Sequence, residues 1–220
     1  MRSKIRFRAQ LGVMAIGLIA NLARAGFAPS AEAARPLGVG EHAPDFVASR
    51  VDHTQYVFSA SHLNHPVVLI FYRGGWCPYC NAQLADMHLV EPKLRASGFE
   101  VLFISTDRPE LLYSSLRDQK VSYTLLSDPE LHAAQAFHIA FHLDDQQYAE
   151  ELKWGVNLEK TTGTRQHALP VPSVFIVDTS GMIRFVYSNP DFRVRLGAEE
   201  LWKAAVPLAL QPQAERPTVP

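Results

Sequence analysis

Val67-Val68-Leu69-Ile70-Phe71-Tyr72-Arg73-Gly74-Gly75-Trp76-Cys77-Pro78-Tyr79-Cys80 is the stretch on which the fold turns. Its first six residues are continuously apolar, β-branched and aromatic, and Pro66 precedes them. That is the pattern of a strand buried on both faces. Two glycines then break the strand, and two cysteines follow three residues apart. Pro78 suits the first position of a helix, where a missing N–H costs nothing. Cys77 then becomes the N-cap and Cys80 the third residue of the first turn. Both sulfurs lie near unpaired backbone N–H groups and the positive end of the helix dipole. Such surroundings lower a thiol pKa from ~8.5 to roughly 3.5–7.5. The thiolate is the nucleophile, and the second thiol can resolve whatever intermediate forms.

A purely structural use of the pair is the competing reading. A bridge between Cys77 and Cys80 closes a very short loop and stabilises little. A structural zinc site needs four ligands, and these are the chain's only two cysteines. His138 and His142 are four apart and would share a helix face, but no HExxH pattern or carboxylate partner accompanies them. His167, just before Pro170, is a weaker candidate for a metal shared with the cysteines. No metal or other cofactor is therefore expected.

Outward from the motif, strands alternate with helices. Phe46–Val51 and Tyr56–Phe58 read as short extended runs before it. After it, Leu84, Met87, Val90 and Leu94 keep a helical period that Pro92 should kink or interrupt and Gly98 should close. Val101–Ser105 reads as a second buried strand. Glu110–Gln119 reads as a helix with Pro109 at its start. Thr124–Leu126 is short and extended. Asp128-Pro129 should open a helix through Phe137, with Asp as N-cap. Phe141 to Leu169 has no core pattern and reads as an insertion, with helix around Tyr148–Trp154. Val174–Val177 and Ile183–Tyr187 flank a Ser180-Gly181 turn as a hairpin, and Ala198–Val206 is a last helix. The sum is an α/β fold with a mixed central sheet flanked by helices. In such sheets the reactive group sits at the carboxyl end of a strand, which is where the cysteines fall.

The chain's 220 residues suit one domain with extensions, and 47% apolar residues suffice for a core. A formal net charge of −1 gives no electrostatic footing for a nucleic acid or an anionic membrane. Arg2, Lys4, Arg6 and Arg8, the apolar run Leu11–Ala20, and the small-residue sites Ala23-Arg24-Ala25 and Ala31-Glu32-Ala33 form a three-part export signal. The run is shorter than the ~20 residues a membrane span needs. Residues 1–33 thus read as a cleaved signal peptide and 37–208 as the domain. Residues 209–220 read as a disordered, Pro-rich tail. The expected location is periplasmic, where disulfides persist, with no stable membrane association after cleavage.

Trp76-Cys77-Pro78-Tyr79-Cys80 resembles the active-site motif of thioredoxins and glutaredoxins. The wider frame resembles the peroxiredoxin superfamily: Gly40–Phe46 its opening, Phe71–Cys80 its active-site segment, Leu125–Pro129 and Val174–Asp178 later landmarks. The likeness spans residues 37–206 and is strongest to a bacterial group in which FYRGGWCPYC, LPVPSVFIVD and NPDFRVRL recur together. It implies a thioredoxin-like fold, a peroxide substrate and a thioredoxin-like electron donor. Cys80 takes the place of the family's peroxidatic cysteine. Cys77 stands where the family has a Thr, Arg73 where it has a Pro, and Pro172 where it has an Arg. Arg73 becomes the candidate to supply the missing positive charge. Pro172 also matches the thioredoxin proline that lies against the CxxC, which implies a cis bond. Trp76 and Tyr79 either line a substrate groove or support packing. Two chemistries stay open. In one, Cys80 attacks a hydroperoxide and Cys77 resolves. In the other, Cys77 leads thiol–disulfide exchange on exported proteins.

Overall fold

The computed structural model describes residues 26–116 and 124–209. Seven strands form one mixed sheet in the order β2-β1-β5-β4-β3-β8-β9. The strands are β1 (Phe46–Ser49), β2 (Gln55–Phe58), β3 (Val67–Tyr72), β4 (Glu100–Ser105), β5 (Thr124–Ser127), β8 (Ser173–Val177) and β9 (Ile183–Ser188). β3 lies in the interior of the sheet, parallel to β4 and antiparallel to β8. Each of its six side chains is at most 1% exposed, so it is buried on both faces as its apolar run predicts. A fully buried side chain of this size contributes ~1.5–3 kcal/mol.

Alternation along β3 divides the core. Val68, Ile70 and Tyr72 face one layer, with Leu84, Met87, Leu94, Leu201 and both cysteines. That layer is built by α1 (Pro78–Met87), α2 (Glu91–Ala96) and α6 (Ala198–Ala209). Val67, Leu69 and Phe71 face the other layer, with Phe46, Phe58, Phe137 and Phe175. There α3 (His132–Ala136) covers the sheet, together with a second, two-stranded sheet of β6 (Ala140–His142) and β7 (Ala168–Pro170).

Pro92 interrupts the helix after the motif as expected: it stands in the first turn of α2 and has no N–H to continue α1. Gly98, at φ +86°, closes α2 as expected. The helix predicted from Glu110 is a 3₁₀ helix over Pro109–Leu116, and its last predicted residues lie outside the described ones. Asp128 does not start α3 directly. Leu131 is the N-cap in a left-handed conformation, and the buried Asp128 carboxylate reaches past it to accept the Ala134 N–H at 3.0 Å. His138 is in a turn and His142 in β6, so they do not share a helix face.

The region 141–169 is not a coreless insertion. It holds β6, β7, α4 (Asp145–Lys153) and α5 (Leu158–Thr162), and Phe141, Val156, Leu158 and Leu169 are buried. Asp144 and Gln147 form a capping box at α4. Residues just before the domain also pack. Ala28 exchanges backbone hydrogen bonds with Ala140 and His142 at 2.8 and 3.0 Å, and the Phe27 ring packs tilted against His142 at 4.3 Å. The expected signal up to Ala25 and the tail from 210 lie outside the described residues. Among the described residues, no helix is long and apolar enough to cross a membrane.

Candidate active site

β3 ends at Tyr72 and delivers the motif loop directly to the start of α1. Cys77 is the N-cap in extended conformation, Pro78 follows at the first helical position, and Cys80 N donates to Cys77 O at 3.1 Å. The loop is pinned from β4 and the residues after it. Gly75 N donates to Asp107 Oδ2 at 2.6 Å, and Thr106 Oγ1 donates to Arg73 O at 2.8 Å. Asn81 Nδ2 donates back to Gly75 O at 2.9 Å.

Gly74 has no room for a side chain. A Cβ there would stand 2.8 Å from Asp107 Oδ1 and closer still to the Trp76 indole nitrogen. Gly74→Ala should therefore push Trp76 and Asp107 off the loop. A loss of about 1–3 kcal/mol is expected, with a matching fall in Tm by calorimetry; an unchanged Tm would show that the loop yields freely.

Both cysteines are free thiols, with Cys77 1% and Cys80 0% exposed. They are electrostatically coupled and unequal. Burial pushes the Cys80 thiol up, but the Cys77 hydrogen bond, the Arg195 charge and the backbone of Gly74 and Arg73 outweigh it, and the net shift is downward. Cys77 moves the other way, raised by its bond to Cys80, by burial and by the Cys80 charge. Cys80 is thus the more acidic thiol of the pair. Asp107, buried beside them, has a carboxyl pushed up to about 7 by burial, against the pull of the Gly75 N–H.

Arg195 is the residue that sequence reasoning missed. Its Nη2 donates to Cys80 Sγ at 3.2 Å and its Nη1 to Gln83 Oε1 at 3.0 Å, while Nε donates to Phe192 O at 2.6 Å. It belongs to the NPDFRVRL segment, whose recurrence in the resembling group was its one available signal. Arg73, the expected charge donor, is elsewhere. It is 4% exposed, paired with the buried Glu151 of α4, and held with its guanidinium 4.1 Å from the Phe192 ring and 4.9 Å from the Trp76 ring. Its charge acts on Cys77.

A groove of about 850 Å³ opens above the motif. Cys77 is part of its lining and Cys80 is not. Trp76, Pro78, Tyr79 and Pro172 also line it, so both aromatic motif residues face the groove. Tyr79 packs edge-on to Phe192 at 5.7 Å. Among the described residues no peptide bond is cis, which corrects the expectation for Pro172. His167 pairs with Glu159 at 3.0 Å and stacks on Tyr148 instead of approaching the sulfurs. Among the described residues no cluster of His, Cys, Asp or Glu could hold a metal.

The AhpC/TSA family pattern matches residues 39–186. Peroxiredoxin Bcp of Escherichia coli K12 is 31% identical over 154 residues, 70% of this chain and 87% of that protein. The crystal structure of peroxidoxin BcpB from Mycobacterium tuberculosis superposes with a TM-score of 0.59 at 20% identity, covering 80% of this chain and 99% of the other. The bacterioferritin comigratory protein of Xanthomonas campestris, whose structures concern its alkyl peroxide reduction, gives 0.59 at 17% identity, covering 81% and 100%. Both likenesses extend over the mixed α/β fold.

Proposed function

The chain belongs to the AhpC/TSA family, and we propose that within it this protein is a thiol peroxidase running on the Cys77/Cys80 pair. The Cys80 thiolate attacks a peroxide oxygen of hydrogen peroxide or an organic hydroperoxide. The O–O bond breaks, Cys80 becomes a sulfenic acid, and water or an alcohol leaves. Cys77, one helical turn away, condenses with the sulfenic acid to a disulfide and releases water. A thioredoxin-like dithiol then restores both thiols.

The observation that carries this reading is the 3.2 Å contact of Arg195 with Cys80. The family's Thr and Arg are replaced here by Cys77 and Pro172, and a guanidinium from another segment supplies the charge that a thiolate nucleophile needs. Thiol–disulfide exchange led by Cys77 has one observation in its favour, the place of Cys77 in the groove. Against it stands the raised Cys77 thiol, a poor attacking group.

Stopped-flow mixing of the reduced protein with hydrogen peroxide, followed by Trp76 fluorescence, tests the assignment. Cys80→Ser should abolish fast oxidation. Cys77→Ser should keep the first oxidation and lose turnover with a dithiol. Full peroxidase activity in Cys80→Ser would sink the mechanism.

Export is part of the proposal. Its support is the basic, apolar and small-residue order of the first 25 residues. Of the two candidate cleavage sites, the first is favoured, because Phe27, Ala28 and Ala31 pack on the domain. Intact mass of the exported protein should give Gly26 as the first residue. A start at Ala34 would mean that this packing is dispensable.

A further inference from the structure

The groove is far larger than a peroxide, and its volume is in the range that encloses drug-sized ligands or a polypeptide segment. Its lining is selective: both cysteines are buried, but Cys77 lies in the groove wall and Cys80 does not, so Cys77 is the sulfur nearest an occupant. Its charges are also selective. Arg73 is paired with Glu151, and Arg193 with Asp191 at 2.8 Å. Among the described residues, this leaves Glu32 and Glu150 as lining charges with no opposite partner. The second Glu151 oxygen, buried in the lining, has no hydrogen-bond partner either. Trp154 stands on the groove 65% exposed, as an aromatic anchor does at an unfilled interface.

We propose that this groove is the docking surface for the protein dithiol that reduces the enzyme, that it selects a cysteine flanked by apolar and basic residues, and that this cysteine attacks Cys77. The donor thiolate bonds to Cys77 Sγ, and the Cys77–Cys80 bond breaks with its electron pair passing to Cys80. Cys80 leaves as the thiolate that Arg195 holds, the better leaving group of the two. The donor's second thiolate then attacks its own mixed disulfide and expels Cys77, which takes up a proton. Two electrons pass from the donor dithiol to the pair; one of the donor's two protons ends on Cys77 and the other goes to solvent, because Cys80 stays a thiolate. A bulky hydroperoxide is the rival occupant. The proposal rests on the disulfide step of the peroxidase reading.

Two synthetic peptides test it, each with one cysteine beside a tryptophan, flanked by lysines in one and by glutamates in the other. The protein is first oxidised with diamide, so no peroxide chemistry is involved. Failure of the peroxidase reading would show separately, as no oxidation by peroxide. Each peptide's rate is normalised to its rate with 2-hydroxyethyl disulfide. The lysine peptide should react about tenfold faster at low salt. The preference should collapse at ~1 M salt, where the Debye length is about 3 Å, and in Glu32→Gln/Glu150→Gln. Acid-quenched digests should carry the peptide on Cys77. Attachment to Cys80, or equal normalised rates, would overturn the proposal. So would saturation with cumene hydroperoxide that the double variant or Trp154→Ala removes.

Discussion

Replacing Arg195 with Gln should slow oxidation of the reduced protein by hydrogen peroxide about 10²–10³-fold at pH 7, the usual cost of removing one preorganised charge-stabilising donor. The sign follows from the titration. A thiolate exists above its pKa, and burial alone would put the Cys80 value above the ordinary one. The Cys77 hydrogen bond and the Arg195 charge bring it below, so the reactive form persists at lower pH. Without Arg195 the rise of rate with pH should move to higher pH. Arg195→Lys should fall between, because an ammonium keeps the charge and loses the fork that also engages Gln83 and Phe192. Stopped-flow rates across pH, with the ultraviolet absorbance of the thiolate in a Cys77→Ser background, report both effects. An unmoved profile and an unchanged rate together would remove Arg195 from the mechanism.

The second large effect is on stability. Arg73 and Glu151 are 5% and 6% exposed at their side chains, and they join the motif loop to α4. Glu151→Ala strands a buried guanidinium, and breaking a buried pair this way costs about 3–5 kcal/mol. For a domain of this size each kcal/mol is worth ~2–4 °C, so Tm should drop by about 6–20 °C. Arg73→Met/Glu151→Leu should recover most of that loss, because the apolar pair removes both charges together. Calorimetry on the two variants separates a structural pair from a dispensable one. A double variant as unstable as Glu151→Ala would mean that the pair's geometry, and not its charge balance, is what matters.

The sequence made some of this legible and hid the rest for identifiable reasons. β3 and the N-capped motif were readable because six apolar residues, a proline and two cysteines carry local signals that do not depend on distant partners. Pro92 and Gly98 were readable for the same reason. In the segment 141–169 only the helix around Tyr148–Trp154 was readable, present as α4; the other elements run three to five residues, too short to show a period. α3 was misplaced because Asp128 caps it from six residues away. Arg195 was hidden by distance. It meets a cysteine 115 positions earlier in the chain, and nothing local marks which of two arginines in Arg193-Val194-Arg195 turns inward. Arg193 pairs with Asp191 at the surface and Arg195 turns to the sulfur.

The two cysteines sit three residues apart across one helix turn and share one buried layer beside the sheet. A sulfenic acid formed on Cys80 therefore finds its partner without any segment unfolding to bring it. Its lifetime is set by a rotation of side chains, and a second peroxide has little time to carry it to the sulfinic acid. On the proposed mechanism this arrangement should make the protein resistant to overoxidation, keeping it turning over at peroxide concentrations that would inactivate an enzyme whose resolving thiol must travel.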